Sequence, residues 1–346
     1  MNYNAAIDVY RVLFTTLIML HHFRIYSDTL PYGGGYMATD FFFMLSGLLI
    51  YEGFLKKQQQ YCDDSYLKSI GKYIIKRFKR LVIPLTVCNL FMLLISYLVI
   101  DYRLPLGIKG FVKETLIFEI FTCDIADRFN PPSWYLGILL MTSVVWLTFL
   151  VYTEKKSKNL KFIFCMVLFA LYMGQIYIKT SGNIYIEHAA ILNWLALLRG
   201  GCGIGVGISI ADIRQRYDYN GYSSLNRIIF ALLIFVYLYL MAWRDGYNRS
   251  DIAVYVTIII GVFVCSKDLA FRNRMISDVI KIFGKASYYA YIVHYPLVRI
   301  LSYVRPFEGL DWKIYSCIFI VIMWSIAIAL FILEKHFIGV RRRAYV

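Results

Sequence analysis

Charge is scarce in this sequence. Of its 346 residues only 17% are charged, while 60% are hydrophobic. Soluble domains carry about 25% charged and about 45–50% apolar residues. A soluble chain of this length would need far more polar surface to cover it, so a water-soluble protein is excluded. Acid is scarcer still: 22 Asp and Glu stand against 37 Lys and Arg, a net charge of +15. That excess does not gather into one basic domain. It flanks apolar runs, which argues against nucleic acid as a partner. The seven cysteines include no C-x-x-C pair, so neither a zinc site nor a disulfide framework is readable. Gly33-Gly34-Gly35 is followed by no Lys-Ser or Lys-Thr and reads as a turn rather than a phosphate loop. There is no internal repeat, low-complexity stretch or second soluble domain, so residues 1–346 read as a single membrane domain.

What is present is a series of long apolar blocks. A membrane helix needs about 20 mostly apolar residues. Segments 6–26, 36–55, 81–100, 133–152, 161–178, 191–211, 227–242, 252–266, 286–304 and 314–333 meet that need. They predict an all-α integral membrane protein, a bundle of about ten transmembrane helices. The connections after the even-numbered spans, with the tail, hold 24 Lys and Arg, and the other connections hold 10. This asymmetry predicts both termini in the cytoplasm. In the long connection 101–132, residues Phe111 to Phe121 are amphipathic enough to lie at the interface or dip into the protein. Glu187 and His188 fall in an outer connection and read as solvated.

Ionisable residues inside spans are costly and point to function. The first span holds Asp8, Arg11, His21 and His22. Arg11 and His22 are 11 residues apart, about three helical turns, so they share one stripe at depths on the order of 16 Å apart. His21 is turned about 100° away, and Asp8 is within pairing reach of Arg11. His22 reads either as a titratable base or as a satisfied interfacial histidine. Asp40 opens the second span at a similar depth. It could orient His22, as a carboxylate does in hydrolase triads, or serve as an N-terminal helix charge. Ser46 and Gly47 read first as small packing residues. Lys76-Arg77-Phe78-Lys79-Arg80 precedes Pro84 at the cytoplasmic end of the third span. Arg77 and Arg80 fit phosphate recognition and positive-inside signalling equally well. Arg199 and Arg299 also lie within spans; Arg199 precedes the run Gly200-Gly201-Cys202-Gly203.

Arg11-x10-His22, Asp40-Phe41-Phe42-x-x-Ser46-Gly47 and Arg77-x-x-Arg80-x-x-x-Pro84 together resemble the membrane acyltransferase-3 family. Ser133-Trp134-Tyr135-Leu136 resembles its Trp motif. Gly284-x-x-Ser287-Tyr288-x-x-Tyr291-x-x-His294-x-Pro296 resembles its late segment, and Glu334 fits the Glu that closes its last span. The resemblance implies a membrane O-acyltransferase that moves an acyl group, usually acetyl, from acyl-CoA to a hydroxyl of an envelope glycan or lipid-linked glycan. It implies a multi-pass protein of the bacterial inner membrane, with acetyl-CoA as co-substrate, no bound cofactor and no metal. His22 would be the base, Asp40 its orienting partner, and Arg11, Arg77 and Arg80 the donor's phosphate ligands. Ser46, Trp134, Tyr288, Tyr291 and His294 are the candidates to touch the oxyanion or the acceptor. A transporter or flippase of lipid-linked sugars is the alternative, since buried His, Arg and Asp serve transport too, although no repeated half supports it.

Overall fold

The computed structural model describes residues 4–24, 31–57, 66–99, 104–115, 130–157, 159–180, 194–216, 223–242, 251–266, 273–304 and 309–344. Among them are eleven α-helices and no strand. They are α1 (Ala5–Phe23), α2 (Ala38–Lys56), α3 (Tyr66–Val99), α4 (Leu104–Thr115), α5 (Trp134–Lys156), α6 (Leu160–Thr180), α7 (Trp194–Arg216), α8 (Ser223–Tyr237), α9 (Asp251–Cys265), α10 (Arg274–Val304) and α11 (Trp312–Ala344). Helices are what an apolar chain forms in lipid, because they close their backbone hydrogen bonds within one segment.

Among the described residues, six helical stretches are long and apolar enough to cross a membrane: Gly33–Lys56, Pro131–Thr153, Leu160–Tyr177, Leu195–Arg216, Ser224–Ala242 and Trp312–His336. The other four expected segments also fall on helices, and each departs from a plain span for a visible reason. α1 carries Asp8, Arg11, His21 and His22. α3 and α10 begin in basic stretches and enclose Pro84 and Pro296. α9 has only 15 residues. Of the amphipathic stretch 111–121, residues 111–115 end α4 and the rest lie outside the described residues, as do Cys62, Cys123, Glu187 and His188.

Small residues set the packing. An added Cβ on Gly207 of α7 would collide with the backbone of Met44 and Leu48 on α2, and one on Gly47 with the backbone of Ile204. Gly47 and Gly207 thus bring two helix backbones into contact, the usual device where lipid supplies no hydrophobic drive between helices. α1 lies along α10, where a Cβ on Gly284 would strike Asp8. Aromatics fill the interior: Tyr10 stacks on Phe230 with centroids 4.7 Å apart, and Phe14 on Phe41 at 4.4 Å. Ile83, Val87 and Phe91 of α3 and Phe235 of α8 stay exposed on the outside, as lipid-facing residues do.

Pro296 shapes the interior of α10. It has no N–H, so the carbonyl of Ile292, four residues earlier, loses its helical donor. Asn130 Nδ2 at 3.2 Å and Cys88 Sγ at 3.1 Å donate to that carbonyl instead.

Candidate active site

α1 starts at Asn4, whose side-chain oxygen accepts the N–H groups of Ala6 and Ile7 at 3.1 and 3.4 Å. This cap satisfies donors that a helix start leaves open. One turn on, Arg11 donates to Asp8 at 2.8 Å, and its side chain is 27% exposed. Arg11 and His22 both meet α10, Arg11 beside Gly284 and Lys285 and His22 at His294.

The histidine geometry fixes the protons. His294 is fully buried, and its Nδ1 lies 2.5 Å from the Tyr291 carbonyl. A carbonyl oxygen only accepts, so Nδ1–H donates and the neutral ring carries its lone pair on Nε2. That lone pair faces His22 Nδ1 at 3.1 Å. His22 Nδ1 is also 3.0 Å from the Ile18 carbonyl, so its N–H is shared between Ile18 and His294. The lone pair of His22 is left on Nε2, the nitrogen free to take a proton. His21 is committed elsewhere: its Nδ1–H donates to the Tyr32 carbonyl at 3.3 Å.

Asp40 does not take the expected place beside His22. Its carboxylate receives a two-pronged contact from Arg199, Nε to Oδ1 at 2.8 Å and Nη2 to Oδ2 at 2.7 Å. Arg199 Nη2 also donates to Thr39 Oγ1 at 2.8 Å and to the Tyr36 carbonyl at 3.0 Å. Both side chains are buried, at 3% and 0% exposure. The reason is physical: a buried carboxylate needs a charged partner, and the fork of Arg199 satisfies both of its oxygens. The group aligned with His22 is His294. Tyr36 joins the two regions, with its ring 5.7 Å from that of His21 and its hydroxyl donating to Asp251.

A cavity of about 370 Å³ opens between α1, α2, α3, α5, α10 and α11. Its lining includes the charged Arg11, Arg80, Lys285 and Glu334 as well as Ser46, Tyr135 and Tyr291. Tyr135 and Tyr291 lie 5.6 Å apart between ring centroids, and Tyr291 is 5.6 Å from His294. His22 and His294 do not line the cavity themselves; Tyr291 of its wall neighbours His294.

Of the predicted residues, Arg11, Arg80, Ser46, Tyr288 and Tyr291 line the cavity. Arg77 does not; its Nη1 donates to the Tyr73 hydroxyl at 2.7 Å. Trp134 sits behind the wall, 6.3 Å from Tyr135. Tyr288 donates its hydroxyl proton to the Leu81 carbonyl at 2.6 Å, and Tyr291 donates to the Pro132 carbonyl. Those protons are committed, and His294 presents a lone pair to His22, so none of the three is an idle oxyanion donor. Lys285 is a cavity cation that sequence reasoning missed. So was Arg199 as the partner of Asp40; the signal was an arginine inside an apolar span, which demands a carboxylate. Among the described residues no three His, Cys, Asp or Glu side chains converge as metal ligands.

Fold and site together define a helical membrane protein with a histidine pair beside a cavity lined by cations. The chain belongs to the acyltransferase 3 family, whose acyltransferase-domain profile matches residues 4–333. Membership supports a membrane acyltransferase. No curated protein and no solved structure matches the chain.

Proposed function

We propose that the protein transfers an acyl group, acetyl in the first instance, from acyl-CoA to a hydroxyl of a cell-envelope glycan such as capsule, O-antigen or exopolysaccharide. It does so as a multi-pass protein of a bacterial inner membrane, with about ten spans and both termini in the cytoplasm. The charge asymmetry of 24 against 10 basic residues supports that orientation.

The observation that carries the proposal is the fixed tautomer of His22. With Nδ1–H held by Ile18 and His294, Nε2 is the base. It takes the proton of the acceptor hydroxyl as that oxygen attacks the thioester carbonyl. The new C–O bond forms, the C–S bond breaks, and the proton passes to the departing thiolate. His22 suits this because its neutral imidazole keeps one nitrogen lone pair able to take a proton. Arg11, Arg80 and Lys285 in the cavity wall would bind the donor's phosphates, with Arg77 behind them. Ser46 in the wall and Trp134 behind Tyr135 are the nearest contacts for the acyl group or acceptor. Arg11 and His22 are separated by about three turns. The pantetheine arm would thread that distance, so acyl groups could reach outer acceptors while CoA stays inside. Family membership lends nothing to the transport alternative.

The test is ester-linked acetate on envelope glycans, released by hydroxylamine, from cells expressing wild type or His22→Ala. Acetate that depends on His22 supports the proposal. Equal acetate from wild type and variant, or from cells with and without the wild-type protein, rejects it.

A further inference from the structure

A second polar cluster lies at the Ile292 carbonyl of α10, and none of its members lines the cavity. Asn89 of α3, Glu114 of α4 and Asn130 before α5 converge there, and Thr115 follows Glu114 at the end of α4. All are buried: Asn89 is 0% exposed, Glu114 and Asn130 1%, and Thr115 8%. Asn130 is pinned at three points. Its backbone N–H donates to Glu114 Oε2 at 2.6 Å, and its Nδ2 donates to Asn89 Oδ1 and the Ile292 carbonyl, both at 3.2 Å.

Three buried atoms of this cluster have no partner: Asn89 Nδ2, Asn130 Oδ1 and Thr115 Oγ1. Buried polar groups are normally satisfied, and each exception calls for an explanation. Their chemistry is specific. Asn89 Nδ2 only donates, Asn130 Oδ1 only accepts, and Thr115 Oγ1 does both. An anion would face the lone pairs of Asn130 and the carboxylate of Glu114. A cation would find nothing to accept from Asn89. A hydroxyl both accepts and donates, and neighbouring hydroxyls would complete the set.

The position fits an acyl acceptor. The Ile292 carbonyl, which Asn130 grips, is two residues before His294. Tyr295, three residues after Ile292, has its ring 5.6 Å from that of His22. None of the three unsatisfied residues lines the cation-bearing cavity. We propose that Asn89, Thr115 and Asn130 form a subsite for hydroxyl groups of the sugar acceptor, which reaches the histidine pair from the side opposite the acyl donor. This rests on the acyltransferase reading.

The test measures transfer of radiolabelled acetyl from acetyl-CoA to envelope glycan extract, with protein in nanodiscs. Wild type is compared with Asn89→Leu and Thr115→Val. The second variant removes only the hydroxyl's hydrogen bonding at nearly constant shape, so it carries the test if the first fails to fold. The expected result is a glycan KM raised about fivefold or more, the scale of one neutral hydrogen bond, with the acetyl-CoA KM unchanged. An unchanged glycan KM in folded variants, or an equal rise in the acetyl-CoA KM, overturns the subsite. A wild-type protein that transfers no acetyl rejects the acyltransferase reading itself, and the subsite with it.

Discussion

His294 Nε2 stands 3.1 Å from His22 Nδ1, although the two residues are 272 positions apart in the chain. The backbone carbonyls of Tyr291 and Ile18 hold the outer members of this array. Together they decide which nitrogen of His22 is basic. Replacing His294 by Phe removes the acceptor that aligns His22. The kcat should fall about 10²-fold, at the lower end of what positioned acid–base catalysis contributes, while the acetyl-CoA KM stays put. Gln at 294 keeps an acceptor oxygen and should restore part of the rate. Steady-state kinetics of both variants check this; a Phe variant as fast as wild type contradicts it.

Asp40 and Arg199 form a buried pair that holds α2 to α7. Removing one partner of such a pair leaves an uncompensated charge and costs about 3–5 kcal/mol. Arg199→Met and Asp40→Leu alone should lose most of the folded protein on heating in detergent. The double variant should recover stability, because apolar replacement of a buried ion pair is often neutral or better. A folded double variant that retains acyl transfer would confirm a structural role for Asp40. One that folds but is dead would return Asp40 to the chemistry.

The contact of α2 with α7 depends on glycine. A Cβ on Gly207 would lie 2.8 Å from Leu48 N and closer still to the Met44 carbonyl. Backbone cannot yield as a side chain does, so Gly207→Ala should cost at least about 1–3 kcal/mol. Gly53→Ala, with nothing within 4 Å, is the neutral control. Thermal stability in detergent separates the two, and equal melting temperatures would refute the packing argument.

Arg80 and Lys285 face the cavity with Arg11. If they bind phosphate, Arg80→Ala and Lys285→Ala should each raise the acetyl-CoA KM about 10-fold, as loss of a charge-assisted hydrogen bond does. The effect should shrink at high ionic strength. Donor KM values at two salt concentrations test it; unchanged values would exclude these residues from donor binding.

The helical character and the first-span stripe were legible from the sequence because both are periodic. Arg11 and His22 share a face by helix geometry alone, and both do meet α10. The partner of Asp40 was not legible in the same way. Depth can be read from distance along a span, but the direction a side chain faces across the bundle depends on packing. Asp40 and His22 were matched by depth, yet Asp40 turns toward α7, drawn there by Arg199. His294 was found as a motif residue, but its lone pair facing His22 depends on α1 lying against α10. The cluster of Asn89, Thr115 and Asn130 left no sequence signal, because asparagine and threonine are ordinary in connections and helix ends. It emerges only because Pro296, lacking an N–H, leaves the Ile292 carbonyl for Asn130 to grip.

In the proposed reaction His22 is the base of a CoA-dependent acyl transfer. The most direct measurement is free-thiol release from acetyl-CoA by purified protein in nanodiscs with glycan extract, wild type against His22→Ala, beside acetyl-CoA binding to each. Wild type should release thiol and the variant at least about 10²-fold less, with equal acetyl-CoA affinity. Undiminished release by the variant would contradict that role of His22.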